Sequence, residues 1–313
     1  MSAVKKVATR DSYGNALKEL AQEGHENLIV LDADLAAATK TGVFKKAFPD
    51  RHFDCGIAEC NMMAAAAGMA SMGLVPFVST FAMFAAGRAF EQVRNSIGYP
   101  HLNVKIGATH GGISVGEDGA SHQCCEDFAL MRAIPGMVVL SPADDVEARA
   151  AVKAAYAHEG PVYLRFGRLA VPVIHDEETF TFEIGKGEQL TDGNDIAIIA
   201  TGLMVEQAMV AAQTLKEEGV NARVINIATI KPLDEEIVLK AAKECGKVVT
   251  CEEHSIIGGL GEAVAGVLSE QCPTVMRRVG VQDVFGHSGP ALEVLKEFGL
   301  CAENIVATAK ELL

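Results

Sequence analysis

Apolar and polar positions divide the chain into short apolar runs separated by longer amphipathic stretches. LIVL at 28–31, LVPFVSTF at 74–81, NVKIGAT at 103–109, MVVLS at 137–141 and PVYLRF at 161–166 are strand-length and largely apolar. Such runs belong to strands buried on both faces. The segments between them have helical spacing. Ala16, Leu17, Leu20 and Ala21 form one stripe, with Asp11 or Ser12 as the cap and Gly24 as the stop. Lys40 to Phe48 reads as a short helix. Phe90, Val93 and Ile97 share a face within 87–97. Residues 124–134 are closed by Pro135-Gly136, and another helix begins near Asp144. Alternating strands and helices predict a doubly wound α/β fold, a parallel sheet covered on both sides. The rhythm breaks over 170–192, a charged stretch containing TFTFEIG, which reads as a linker with a β-ribbon. It resumes from DIAIIATG onward. The expected organisation is a first domain over 1–170, a linker over 171–192 and a smaller α/β domain over 193–313.

One stretch stands apart. Residues 62 to 87 carry no charge, and a single acid, Glu59, sits at their mouth. The run is long enough to suggest a membrane span, but Gly73 and Pro76 cut it into a helix-like and a strand-like half, with no polybasic flank. A buried helix followed by a buried strand is the expectation. A carboxylate facing apolar surroundings needs a partner or a proton. Glu59 therefore reads either as a helix-start acid favoured by the dipole or as a group prepared to share a proton.

Composition narrows the field. A net charge of -14 without a Lys/Arg cluster makes nucleic acid an unsuitable partner. The eight cysteines show no CxxC spacing, so they read as reduced thiols of a cytosolic protein. The loop THGGISVGEDGASHQ at 109–123 is the densest in chemistry. It places His110, Glu117, Asp118 and His122 among four glycines that let backbone pass close to a ligand. These side chains suit general acid/base work or metal ligation, and spacing alone does not choose. GGLGEAVAG, at 258–266, fails the dinucleotide fingerprint at its third glycine.

Four segments together resemble the pyrimidine-binding domain of transketolases: FDCGIAECNMMAAAAGMA, VSTFAMF, THGGISVGEDGASHQ and YLRFGR, with ATRDSYGNAL near the start. Residues 195–313 resemble the transketolase C-terminal domain. The GRAFEQVRNSI helix and EEHSIIGG are also similar to deoxyxylulose-phosphate synthases and to 2-oxoacid dehydrogenase beta subunits. The GDG…N motif that holds diphosphate and its metal in long transketolases is missing. The resemblance thus implies the C-terminal section of a split transketolase. It implies thiamine diphosphate as cofactor, with Mg2+ or Ca2+ held by a separate N-terminal diphosphate-binding subunit in an α2β2 assembly.

The resemblance also assigns roles. Glu59 matches the acid on the cofactor's pyrimidine nitrogen, Phe81 and Phe84 its aromatic pocket, and Ile57 a further lining residue. His122 matches a group near the donor sugar's carbonyl, and Asp118 an acid that reads a sugar hydroxyl. His110, Arg165 and Arg10 match groups toward the substrate's phosphate. The implied reaction moves a two-carbon ketol unit from a ketose phosphate to an aldose phosphate. Two departures stand out. Ala38 replaces a phosphate-binding serine, and Gly87 an aromatic. They leave sulfonated or branched sugars open as substrates. The rival readings are a pyruvate-using synthase or dehydrogenase subunit and a non-catalytic interaction subunit.

Overall fold

A computed structural model describes residues 5–313. The first half opens with β1 (Lys6–Ala8), α1 (Thr9–Gln22) and β2 (Leu28–Asp32). Short helices α2 (Ala36–Thr39) and α3 (Gly42–Ala47) lead to β3 (His52–Asp54), α4 (Glu59–Ser71) and β4 (Val75–Phe81). Two π-helical turns, Met83–Arg88 and Val93–Gly98, flank the single turn α5 (Phe90–Gln92). Then come β5 (Lys105–Thr109), α6 (Asp127–Arg132), β6 (Val138–Leu140), α7 (Asp145–Ala157), β7 (Val162–Phe166) and β8 (Ala170–Pro172). The second half contains β9 (Glu188–Gln189), β10 (Ile196–Ala200), α8 (Met204–Glu217), β11 (Ala222–Asn226) and β12 (Thr229–Lys231). It continues with α9 (Glu235–Cys245), β13 (Lys247–Ser255), α10 (Leu260–Gln271), β14 (Val275–Val281), α11 (Ala291–Glu297) and α12 (Ala302–Lys310). No helix among the described residues is long and apolar enough to cross a membrane.

The doubly wound architecture follows from side-chain alternation along the strands. Leu28 and Val30 of β2 share a core with Tyr13 and Leu17 of α1 and with Val152 of α7. Ile29 and Leu31 point the other way, into a core with Met62, Met63 and Ala66 of α4. With both faces covered, β2 is apolar from Leu28 to Leu31 and meets a polar residue only at its carboxyl end, Asp32. The first sheet has the order β12-β6-β7-β5-β4-β2-β3 and the second β14-β13-β10-β11-β9. Pairings are parallel except β12 with β6 and β9 with β11. The core that covers α4 also takes in Ile199, Val248, Val238 and Val264, so apolar packing runs from one sheet to the other.

Four local features differ from the expectation. Helix α1 starts at Thr9, ahead of Asp11 and Ser12, because β1 ends at Ala8 and Thr9 Oγ1 instead accepts the Gly167 N–H at 2.8 Å. Strand β3 gives no apolar run because it is an edge strand, with Phe53 and Asp54 exposed. The 87–97 helix is wound partly as π-helix, and a Cβ on Gly87 would come within 2.3 Å of Met83 Cε. Strand β12, from the second half, adds an antiparallel edge to the first sheet. Around the 171–192 segment, β8 pairs antiparallel with β1 in a separate two-stranded sheet, and β9 adds an edge to the second sheet beside β11.

The linker is tied down by polar contacts. Asp144 caps α7 by accepting the Glu147 N–H at 2.9 Å. Its other oxygen accepts the Ile174 and His175 N–H groups at 2.7 and 2.9 Å. The His175 ring lies between Asp144, 3.0 Å away, and Glu188, 2.8 Å away. Burial works against protonating this ring, but the bonds to Asp144 and Glu188 outweigh it and push its pKa up to about 10. The folded value exceeds the unfolded one of about 6.5. The resulting stabilisation is complete below about pH 6.5 and is lost as pH rises through about 10. Urea midpoints should therefore fall across that window in the wild type. His175→Gln should lower the midpoint at about pH 6 and flatten this fall, and a variant that retains the full wild-type slope would contradict the assignment.

Candidate active site

The carboxyl ends of β2, β4, β5 and β7 lie side by side, the place where open α/β sheets carry their sites. Glu59 is the first residue of α4 and only 2% exposed. Arg88 Nη1 donates to its two oxygens, at 3.0 and 2.8 Å. The guanidinium also lies over the ring of Phe84, 4.4 Å from the centroid. Phe84 stacks beside Phe81, with centroids 5.8 Å apart and planes at 12°. Phe81 in turn stacks on His110 at 3.9 Å. His122 presents its edge to Phe84 at 5.3 Å and to Phe81 at 6.2 Å. An unbroken line of groups thus runs from a buried acid, across two phenyl rings, to two histidines.

The far end is cationic. Arg10, in the first turn of α1, donates to the carbonyl of Ala38 at 3.2 Å and lies 3.0 Å from His110 Nε2. Arginine has no acceptor, so Nε2 must carry the lone pair and Nδ1–H donates to Thr109 Oγ1 at 2.9 Å. His110 is thereby fixed as the neutral Nδ1–H tautomer. Burial first, then the charges of Arg10, Arg168, His122 and Lys40, hold its pKa down to about 3. Its backbone sits in the left-handed region, at φ 59°. Arg10 Nε is buried and has no partner among the described residues, a donor free for an anion. Lys40 pairs with Asp11 at 3.1 Å beside this cluster.

Comparison with known proteins decides what this arrangement belongs to. Residues 5–173 match the family described as transketolase, pyrimidine binding domain, and residues 185–305 the transketolase, C-terminal domain. The chain belongs to the transketolase family. It is 52% identical over 304 residues to a putative transketolase C-terminal section of Methanocaldococcus jannaschii, covering 96% of this chain and 95% of that protein. It is 45% identical to the 6-deoxy-6-sulfo-D-fructose transketolase subunit of Clostridium sp. (strain MSTE9), covering 96% of this chain and 93% of that one. A solved split-gene transketolase, described as an inactive β4 tetramer, superposes with a TM-score of 0.91 at 52% identity, covering 97% and 98% of the two chains.

Within this transketolase chain, the structure brings together Glu59, Phe81, Phe84, His110, His122 and Arg10. Asp118 is exposed on the short 3-10 turn Gly116–Asp118, four residues before His122. Ile57 is 77% exposed on the loop before α4 and is not packed against the two phenylalanines.

Arg165 requires correction. Expected at the substrate's anionic end, it is instead 6% exposed, inside the protein. Its Nε donates to Asp127 at 2.9 Å, and its Nη2 donates to the carbonyls of Cys124 and Glu253 at 3.1 and 2.8 Å. Burial would lower its pKa, but Asp127 and Glu253 outweigh this and raise it. The physical reason is position: Arg165 lies within β7, and its side chain is committed to Asp127, Cys124 and Glu253. Arg168 lies two residues past the carboxyl end of that strand. It is part-exposed, bonds Val115 O and Glu117, and its charge is felt by both Arg10 and His110. The sequence already contained that signal, since Arg168 is two residues beyond the apolar run that ends at Phe166.

The second half of the chain holds the site loop in place. Glu253 Oε1 accepts the Ser114 N–H at 2.7 Å, and a Cβ on Gly112 would collide with the Glu253 carboxyl. Gln123 donates to Ile113 O and His287 O at 3.1 and 3.0 Å. His254 Nε2 accepts the Phe128 N–H at 3.1 Å. Arg165→Met would leave Asp127 buried without its cation, and should cost about 3–5 kcal/mol in urea unfolding. Arg168→Met should change stability by no more than about 0.5 kcal/mol. Equal losses for the two would refute the division of labour between them.

Proposed function

We propose that the chain is the catalytic C-terminal section of a split, thiamine-diphosphate-dependent transketolase. With a separate N-terminal subunit that holds the diphosphate and its Mg2+ or Ca2+, it transfers a two-carbon ketol unit from a ketose phosphate to an aldose phosphate, as an α2β2 assembly. The observation that supports this most is the line of groups from Glu59 through Phe84 and Phe81 to His110. It offers an acid, an aromatic wall, and a cationic end in the order such a cofactor and sugar require.

The residues fit the cofactor's pyrimidine. The space between the Glu59 carboxyl and the Phe84 face is filled by a planar group of this chain, the Arg88 guanidinium, so a planar heterocycle with a ring nitrogen suits it. When bound, thiamine diphosphate supplies the electron sink for breaking a carbon–carbon bond next to a carbonyl. Glu59 holds a proton at the pyrimidine nitrogen. Phe84 and Phe81 orient the ring and keep water from it. His122, at the edge of both rings, bonds the donor sugar near its carbonyl, and Asp118 reads a hydroxyl. His110, Arg10 and Arg168 receive the anionic end. Because His110 stays neutral at ordinary pH, it serves there as a hydrogen-bonding group and not as a cation.

A second reading of the substrate rests on Ala38. Its carbonyl takes a bond from Arg10, and it offers no hydroxyl to a phosphate. A sulfonate carries a single negative charge where a phosphate carries nearly two, so it needs fewer donors around it. The Clostridium relative is a transketolase subunit for a sulfonated sugar.

The test is reconstitution with a separately encoded N-terminal transketolase section, thiamine diphosphate and magnesium. Xylulose 5-phosphate and 6-deoxy-6-sulfofructose are offered as alternative donors to ribose 5-phosphate. Activity should require both chains. Glu59→Gln should lower kcat by about a hundredfold or more, and full activity in that variant would remove Glu59 from its role. Preference for the sulfonated donor would decide for the second substrate reading.

A further inference from the structure

Arg88 has no part in the role assignments above, yet it is the sole side-chain partner of Glu59 among the described residues. Two of its contacts matter together. One nitrogen donates to both carboxyl oxygens of Glu59, and the flat face of the same guanidinium lies on Phe84. A planar group whose edge meets this carboxyl and whose face lies on a phenyl ring has the shape an aminopyrimidine would present at this place, its ring nitrogen sharing a proton with Glu59.

The chain's geometry allows the arginine to leave. Glu59 is 2% exposed on its side chain, whereas that of Arg88 is 48% exposed. The guanidinium thus reaches a buried carboxyl while its side chain as a whole stays half exposed. Its backbone lies at the end of the π-helical turn Met83–Arg88, a rare element that is frequently found at functional sites. The turn also carries Phe84, so the aromatic wall and the arginine that covers it move on one element. Without some partner, Glu59 would be a buried, uncompensated charge.

We propose that Arg88 is a built-in placeholder for the cofactor's pyrimidine ring. It satisfies Glu59 and covers Phe84 in the cofactor-free subunit, and swings to solvent when thiamine diphosphate enters. The proposal rests on the assignment of Glu59 and Phe84 to the cofactor. It makes cofactor uptake an exchange rather than a simple filling of space. The apparent affinity is lowered by the fraction of subunits in which the arginine is seated, so a placeholder seated about 90% of the time weakens it about tenfold.

Calorimetry of thiamine diphosphate, with magnesium, against the two-subunit complex tests this without relying on turnover. Arg88→Met keeps the stem and removes the competing donors. It should lower the apparent Kd about tenfold. It should also lower the Tm of the cofactor-free complex, and the rise in Tm on adding cofactor should exceed that of the wild type. Arg88→Lys keeps a cation for Glu59 but not the planar stack, and should tighten binding by a smaller factor. It is the variant to read if Arg88→Met fails to fold. Unchanged or weaker binding in the folded variants would overturn the placeholder and leave Arg88 inert or a cofactor ligand. An intact complex that takes up no thiamine diphosphate even as wild type would overturn the cofactor assignment of Glu59, and the placeholder with it.

Discussion

The ion pair between Arg165 and Asp127 lies wholly inside the protein, and the site loop is built around it. Tyr163 adds a second bond to Asp127, from its hydroxyl at 2.8 Å, and the guanidinium covers the face of Phe128. Its remaining donors go to carbonyls of Cys124 and Glu253, one at the end of the loop and one on β13 of the second sheet. Burying two charges is costly unless both are paired and hydrogen-bonded, and here the bonds are supplied from three separate parts of the chain. The loop that carries His110, Asp118 and His122 is therefore held in place by the second half of the molecule.

This explains why the C-terminal half bears on a site to which it contributes none of the assigned residues. Glu253 fills the space beside Gly112 and accepts the Ser114 N–H, while His254 receives the Phe128 N–H. His254 is kept neutral by burial, which with Arg165 outweighs Asp127 and holds its pKa down to about 4, so it can act as an acceptor there. Each contact reaches across the boundary between the two sheets. Together with the shared apolar core, they make the loop geometry a property of the whole chain.

Electrostatics divides the site into two ends. At one end a lone carboxylate is met by a half-exposed arginine, and at the other a neutral histidine sits among cations. Phe81 and Phe84 separate them, an apolar spacer of about two rings.

The sequence by itself determined the architecture. Strands such as LIVL and PVYLRF are largely apolar because both faces of a doubly wound sheet are covered, and that pattern survives in one dimension. It also determined the transketolase resemblance and the candidate residues Glu59, Phe81, Phe84, His110 and His122, which lie in compact motifs. Only the tertiary structure separated Arg165, buried in an ion pair, from Arg168, which is part-exposed. Both are arginines in one six-residue motif, and what separates them is which one lies past the strand's carboxyl end. Likewise, no spacing rule connects Glu59 to Arg88 or β12 to the first sheet. These contacts join residues far apart in the chain through distance and burial, quantities that no local pattern of residues encodes.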